Sequence, residues 1–228
     1  MQNVVKVLST LAVMGAVRGV SKQYEAGFGT RIEADFAPTV ELLERLGSGE
    51  AADVVILPRQ ALDDLTAAGS VVADSRVDLA RSYVGLAVKA GAPRPRIATE
   101  ADLRAALLGA GSVAYSRIGA SGIFFAQLIE RMGIASKVNA KARIIPSGLT
   151  AELLLAGEAD LAVQQLSELK LVPGVEIVGP IPVDMQTPMV FSAGRLASSE
   201  RPVQSDRLLK FLASPEVASA LRESGLEP

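Results

Sequence analysis

Six hydroxyl side chains and two amides stand where a ligand could be held: Ser9, Thr10 and Thr39 early in the chain, then Ser116, Ser121 and Ser147, then Gln164 and Gln165. Each closes an apolar run or opens a helical pattern. At such points a parallel strand gives way to a helix whose first N–H groups are free and partly positive. Hydroxyls, amides and N–H groups with little cationic charge among them suit an anion taken out of water by hydrogen bonds. Ser and Thr are also favoured helix caps, so capping and ligand binding compete for the same side chains. The sharpest local signal is Gly119-Ala120-Ser121-Gly122, whose small residues let backbone approach a ligand at a helix start. Arg117, beside Ser116, can pair with a carboxylate or remain solvated. Gln165 is expected to face the ligand rather than a neighbouring loop.

Other chemistry is excluded by what the chain lacks. It has no Cys and no His, so a disulfide, a thiolate nucleophile, a Cys/His zinc site and a Ser-His-Asp triad are all ruled out. No catalytic residue, metal or cofactor is assigned. Without His, no side chain titrates normally between about pH 5 and 8, and affinity for a fully ionised ligand is expected to be flat there. The letters of a dinucleotide fingerprint occur at residues 109–114, but they follow a helix and precede a strand, the reverse of what a pyrophosphate needs. Ser167-Glu168-Leu169-Lys170 reads as a solvated helical turn, and Asp63-Asp64 as a solvated helix face.

The positioning elements follow from periodicity. Residues 4–8 form a β-branched run, and Leu11, Met14, Val17 and Val20 then turn helical until Gly27-Phe28-Gly29. Ile32, Ala34 and Phe36 alternate with polar residues as in a half-buried strand, and Pro38-Thr39 opens a helix carrying Val40, Leu43 and Leu46. Asp53-Val54-Val55-Ile56-Leu57 is continuously apolar, as in a parallel strand covered on both faces. The same order returns as strand 112–116, helix 122–132, strand 142–145, helix 149–156 and strand 160–163. Gly49-Glu50-Ala51-Ala52-Asp53 answers Gly157-Glu158-Ala159-Asp160 at the third strand of each set. Two similar α/β domains are therefore expected. An extended segment at 82–89 and a proline-containing linker at 91–96 carry the chain across. The tail lacks a third repeat and returns to the first domain, which gives a first lobe of residues 1–85 and 182–228 and a second of 86–181.

The 228 residues carry 23 basic and 25 acidic side chains, a formal net charge of -2, and the basic residues are scattered, so no nucleic-acid partner is expected. Mean hydropathy is +0.32. The uncharged stretch 7–17 is nevertheless shorter than the roughly 20 residues of a membrane helix. Met1-Gln2-Asn3 has no basic side chain and Lys6 interrupts the apolar run, which reads poorly as a leader. The expectation is a cytoplasmic protein if the sequence is full length, and a periplasmic one if a leader was removed.

This layout resembles the type 2 periplasmic binding proteins, most closely the molybdate-binding branch of ABC-transporter solute-binding proteins. The resemblance runs over nearly the whole chain. It rests on Val7-Leu8-Ser9-Thr10-Leu11, Ala37-Pro38-Thr39, residues 49–57, Ala120-Ser121-Gly122-Ile123-Phe124 and Phe211-Leu212-Ala213-Ser214-Pro215-Glu216. It implies an α/β fold of two lobes, each a mostly parallel sheet flanked by helices, with an anion held in a cleft between them. Ser9 and Thr39 then match hydroxyl ligands of the first lobe, and Ser121 and Ser147 match backbone N–H donors of the second. Gln165 falls where the molybdate binders place a tyrosine. Aconitate isomerase resembles the same branch, so the fold does not exclude an enzyme.

The reading is a monomeric binding protein for a small oxyanion or compact carboxylate, with an ABC permease as the implied partner. Its ligand residues are Ser9, Thr10, Thr39, Arg117, Ser121, Gly122, Ser147 and Gln165. An isomerase of a di- or tricarboxylate, or a cytoplasmic anion sensor, are the alternatives.

Overall fold

The computed structural model describes residues 3–228. Met1 and Gln2, on which part of the leader reading rests, lie outside the described residues. The chain divides into two compact units, residues 1–82 with 189–228, and residues 83–188.

The first unit contains β1 (Asn3–Ser9), α1 (Met14–Phe28), β2 (Thr30–Phe36), α2 (Thr39–Gly47), β3 (Val54–Pro58), α3 (Arg59–Ala67) and β4 (Val77–Ser82). The second contains β5 (Val84–Lys89), α4 (Glu100–Gly109), β6 (Val113–Ser116), α5 (Ala120–Arg131), α6 (Ala135–Asn139), β7 (Ala142–Ile145), α7 (Glu152–Ala156), β8 (Leu161–Gln165), α8 (Leu166–Leu169) and β9 (Val175–Pro180). The chain then returns to the first unit as β10 (Met189–Arg195), α9 (Pro202–Leu212) and α10 (Ala218–Glu223).

The two sheets have one topology. Their strand orders are β2-β1-β3-β10-β4 and β7-β6-β8-β5-β9. In each, three parallel strands stand beside one antiparallel strand, β10 or β5, which the chain enters on crossing from the other unit. Each sheet is therefore mixed, with one strand reversed against four.

Both faces of each sheet are apolar, and strand periodicity explains how. Val5, Val7, Val54 and Ile56 enter one core of the first unit, packed by residues of α1 and α9. Leu8, Val55 and Leu57 point the other way, to Leu42 of α2 and Leu62 of α3. In the second unit Val113, Tyr115, Leu161 and Val163 meet α4 and α5, while Ala114, Ala162 and Ala87 face the other side. Those alanines leave room for the short helices α7 and α8 to lie close to the sheet.

The shared letters before β3 and β8 have a structural cause. The Asp53 carboxylate accepts the Lys6 N–H at 2.9 Å, and the Asp160 carboxylate accepts the Ser112 N–H at 3.0 Å. In each unit an aspartate just before the third strand thus fastens the first strand itself (Lys6 in β1) or the residue leading into it (Ser112 before β6). Asp53 is 2% exposed and also accepts the Ser199 hydroxyl at 2.8 Å, whereas Asp160 is solvent-exposed.

The division between units differs from the sequence expectation at both crossings. It falls at 82/83 and 188/189 rather than 85/86 and 181/182. Val84 and Gly85 already pair with Gln165 and Gln164 of β8. On the return, Gln186 accepts the Val84 N–H at 3.0 Å and donates to the carbonyls of Val84 at 3.1 Å and Ile181 at 2.6 Å, holding segment 181–186 to β5. The extended stretch expected at 82–89 is two strands interrupted at Tyr83, one in each unit.

Candidate functional site

In the first unit the carboxyl ends of β2, β1 and β3 come together. The Ala37 N–H donates to the Ser9 carbonyl at 3.1 Å, and the Thr10 N–H donates to the Ile56 carbonyl at 3.0 Å. This brings Ser9, Thr10 and Thr39 to one end of the sheet. Ser9 ends β1 fully buried, with its hydroxyl donating to the Thr10 carbonyl at 3.0 Å. Thr10 caps a 3-10 turn at residues 11–13, accepting the Ala12 N–H at 3.1 Å. Its side chain and N–H both serve the backbone, so capping accounts for Thr10. Thr39 is the first residue of α2, 8% exposed, behind Pro38, which offers no side-chain cap. The opening turn of α2 therefore presents a hydroxyl and uncapped N–H groups together.

The second unit repeats the arrangement at the ends of β7, β6 and β8. Ser116 ends β6, and its hydroxyl accepts the N–H groups of Ile118 at 3.3 Å and Gly119 at 3.2 Å, folding the turn that leads into α5. That helix begins at Ala120, two residues before the sequence expectation, so Ser121 and Gly122 lie in its first turn. Ser121 is 4% exposed. Gly122 is needed for a backbone contact: a Cβ there would stand 1.5 Å from the Ser116 carbonyl oxygen. The absent side chain lets α5 sit directly on the end of β6, which fixes where its first N–H groups lie. Arg117 is exposed in the turn, with no ion-pair partner among the described residues. Ser147 is exposed in the loop after β7. That loop is braced by Gln164, whose amide oxygen accepts the Thr150 N–H at 2.8 Å and hydroxyl at 3.0 Å, and whose amide nitrogen donates to the Gly148 carbonyl at 3.1 Å.

Gln165 departs from the expectation of a ligand-facing amide. It is 1% exposed and forms a reciprocal capping box with Glu168: its side chain accepts the Glu168 N–H, while the Glu168 carboxylate accepts the Gln165 N–H at 3.0 Å. The turn read as solvated is buried. Ser167, Glu168 and Leu169 are 1%, 6% and 0% exposed, because α8 packs on β8, β5 and β9. Among the described residues the buried Ser167 hydroxyl has no hydrogen-bond partner. Burial pushes the Glu168 carboxyl up to about 7, against hydrogen bonds from the Gln165 backbone and the Gln164 side chain. Glu168 is thus a carboxyl shifted by burial into the range where no side chain of this chain titrates normally. A sequence signal for Glu168 was present: Gln165-x-x-Glu168 has capping-box spacing, inside the otherwise apolar run Leu166, Leu169, Leu171 and Val172.

Among the described residues no helix is long and apolar enough to cross a membrane, and no group of three or more His, Cys, Asp or Glu could hold a metal. Gly109 ends α4 and Val113 begins β6, so the glycine-rich stretch between them runs from helix to strand.

The sequence profile of the bacterial extracellular solute-binding proteins matches residues 5–227. An aconitate isomerase of Pseudomonas is 40% identical over 97% of this chain and 87% of its own length. Among solved structures, the periplasmic molybdate-binding protein of Azotobacter vinelandii superposes with a TM-score of 0.83 at 17% identity, over 98% of this chain and 99% of that one. The sulfate-binding protein of Mycobacterium tuberculosis does so with a TM-score of 0.81 at 16% identity, over 99% and 87%. These two likenesses show the fold, that of the type 2 periplasmic binding proteins with a molybdate-binding-like layout.

Proposed function

Because the chain belongs to the bacterial extracellular solute-binding proteins, whose ligands are small molecules, we propose that it captures a compact di- or tricarboxylate. The observation that carries this choice over an inorganic oxyanion is the 40% identity, across nearly the whole chain, with a protein named for its action on aconitate. Arg117 supports it. A tetrahedral oxyanion can be satisfied by hydroxyls and N–H groups alone, whereas a polycarboxylate has further charge that a guanidinium binds in a bidentate pair. In this reading Thr39 and the opening N–H groups of α2, next to Ser9, are the donors of the first unit, and Ser121, Gly122, Ser147 and Arg117 are those of the second. Gln165 acts from behind, by shaping the end of β8. Delivery of the ligand to an ABC permease is the corresponding role in transport.

The test is a thermal-shift and calorimetric panel of citrate, cis-aconitate, trans-aconitate, sulfate and molybdate. The carboxylates should stabilise the protein by about 2.7 kcal/mol at a hundredfold excess over Kd. Arg117→Ala should weaken carboxylate binding by about 2–5 kcal/mol, the usual range for a broken desolvated charge pair. Stabilisation by molybdate or sulfate alone, or an Arg117→Ala variant that binds carboxylates unchanged, refutes the proposal.

A second reading, an isomerase that shifts a proton within the bound carboxylate, is favoured by the same relative's name. Conversion of cis-aconitate into its trans isomer, followed by proton NMR, separates it from simple capture.

A further inference from the structure

We propose that Glu168 is a positioning residue for the anion site of the second unit, and that capture of a polycarboxylate draws a proton onto its carboxylate. This rests on the carboxylate reading above and adds a titrating group to it. Glu168 does not stand alone. Its carboxylate accepts the N–H of Gln165, the residue that follows Gln164 at the end of β8. Gln164 in turn holds Gly148 and Thr150, in the loop that carries Ser147. The carboxylate and the Ser147 loop are therefore fastened to two adjacent residues at the end of β8.

Among the described residues Glu168 has no ion pair, and the elements packed on α8 carry few charges. β8 has no ionisable residue. β5 has Lys89 at its far end and Tyr83 just before its start. β9 has Glu176, which accepts the Gly91 N–H at 3.1 Å, away from this corner. Lys170, next along the chain, is exposed. Ionised Glu168 is thus a buried charge held only by neutral donors, consistent with a carboxyl that titrates near 7. A polyanion bound at the neighbouring loop adds like-charge repulsion and favours the neutral form. A protonated carboxyl still accepts the Gln165 N–H through its carbonyl oxygen, so the corner can keep its shape while losing the charge. By linkage, binding takes up a proton and affinity falls as pH rises through the titration.

Calorimetry of the full chain with trans-aconitate, in buffers of differing ionisation enthalpy, tests this, the ligand's own protonation being measured in parallel. The wild-type protein should take up a fraction of a proton at neutral pH. Its affinity should fall by about tenfold from pH 6 to pH 8, the size of a screened repulsion between nearby charges. Glu168→Gln keeps an oxygen acceptor for Gln165 but cannot ionise, so its affinity should show no slope between pH 6 and pH 8. A slope that survives in Glu168→Gln, or tight wild-type binding without proton uptake, overturns the proposal. Absence of trans-aconitate binding at every pH overturns the carboxylate reading itself, a different result from tight binding with no slope. The wild-type proton count decides the matter even if the variant fails to fold.

Discussion

Replacing Gly122 with Ala should be among the most damaging single-methyl changes available to this protein. The new Cβ would lie 1.5 Å from the Ser116 carbonyl oxygen and 2.5 Å from its carbon, both backbone atoms that no rotamer change can move aside. Restoring an ordinary contact of 3.4 Å requires α5 and the end of β6 to part by about 2 Å. That movement strains the turn in which the Ser116 hydroxyl holds the Ile118 and Gly119 N–H groups, and disturbs the contact of the Tyr115 and Phe125 rings at 5.0 Å. Overpacking of this kind costs about 1–3 kcal/mol. Each lost turn hydrogen bond adds about 1 kcal/mol. The expected destabilisation is therefore about 3–5 kcal/mol, or a fall in Tm on the order of 10 °C for a chain of this length. Urea and thermal denaturation followed by circular dichroism measure it, and the displaced α5 should also weaken anion binding. Gly19→Ala is the internal control. Gly19 lies within α1, where an added methyl would meet nothing within 4 Å, so Ala there should stabilise by about 0.5–1 kcal/mol. A Gly122→Ala protein that melts within about 2 °C of the wild type refutes the packing argument.

Glu168 has a folded-state pKa of about 7, above its ordinary 4.5, so it contributes stability below pH 4.5 that is lost as pH rises through 7. The wild type should lose about 3 kcal/mol between pH 4.5 and pH 8 from this group, and Glu168→Gln should not, as urea denaturation across that range would show. Asp53→Ala should cost about 2–4 kcal/mol by chemical denaturation, because it removes a buried carboxylate that accepts from the Lys6 N–H and the Ser199 hydroxyl, while Asp160→Ala, whose carboxylate is exposed, should cost about 1 kcal/mol; equal costs would contradict the role of burial. Thr39→Val preserves shape and should change Tm little, yet reduce anion affinity by about 1–3 kcal/mol in calorimetry, since a ligand oxygen loses its donor. Unchanged affinity would remove Thr39 from the ligand set.

The sequence alone determined the repeated order of strands and helices and the two-unit α/β fold. Those features live in local periodicity and in the matched residues around Asp53 and Asp160, which recur because each ties the start of a third strand to a first strand or to the residue just before it. It also pointed to Ser9, Thr39, Ser121 and Ser147 at strand ends, because a strand-to-helix junction writes its own small and hydroxyl residues. What lay beyond it was decided by packing between segments distant in sequence. β10 and β5 run against their neighbours because each enters its sheet from the other unit, an arrangement that no local pattern records. Gly122 reads locally as freedom for a ligand, yet the structure uses it for contact with Ser116, as only the approach of α5 to β6 reveals. Gln165 and Glu168 read as a cleft-facing amide and a solvated acid. The packing of α8 on β8, β5 and β9 removes water from both, joins them in a capping box and moves the carboxyl into the neutral range. Burial is a property of the assembled fold, and it alone turns an ordinary glutamate into a titrating one.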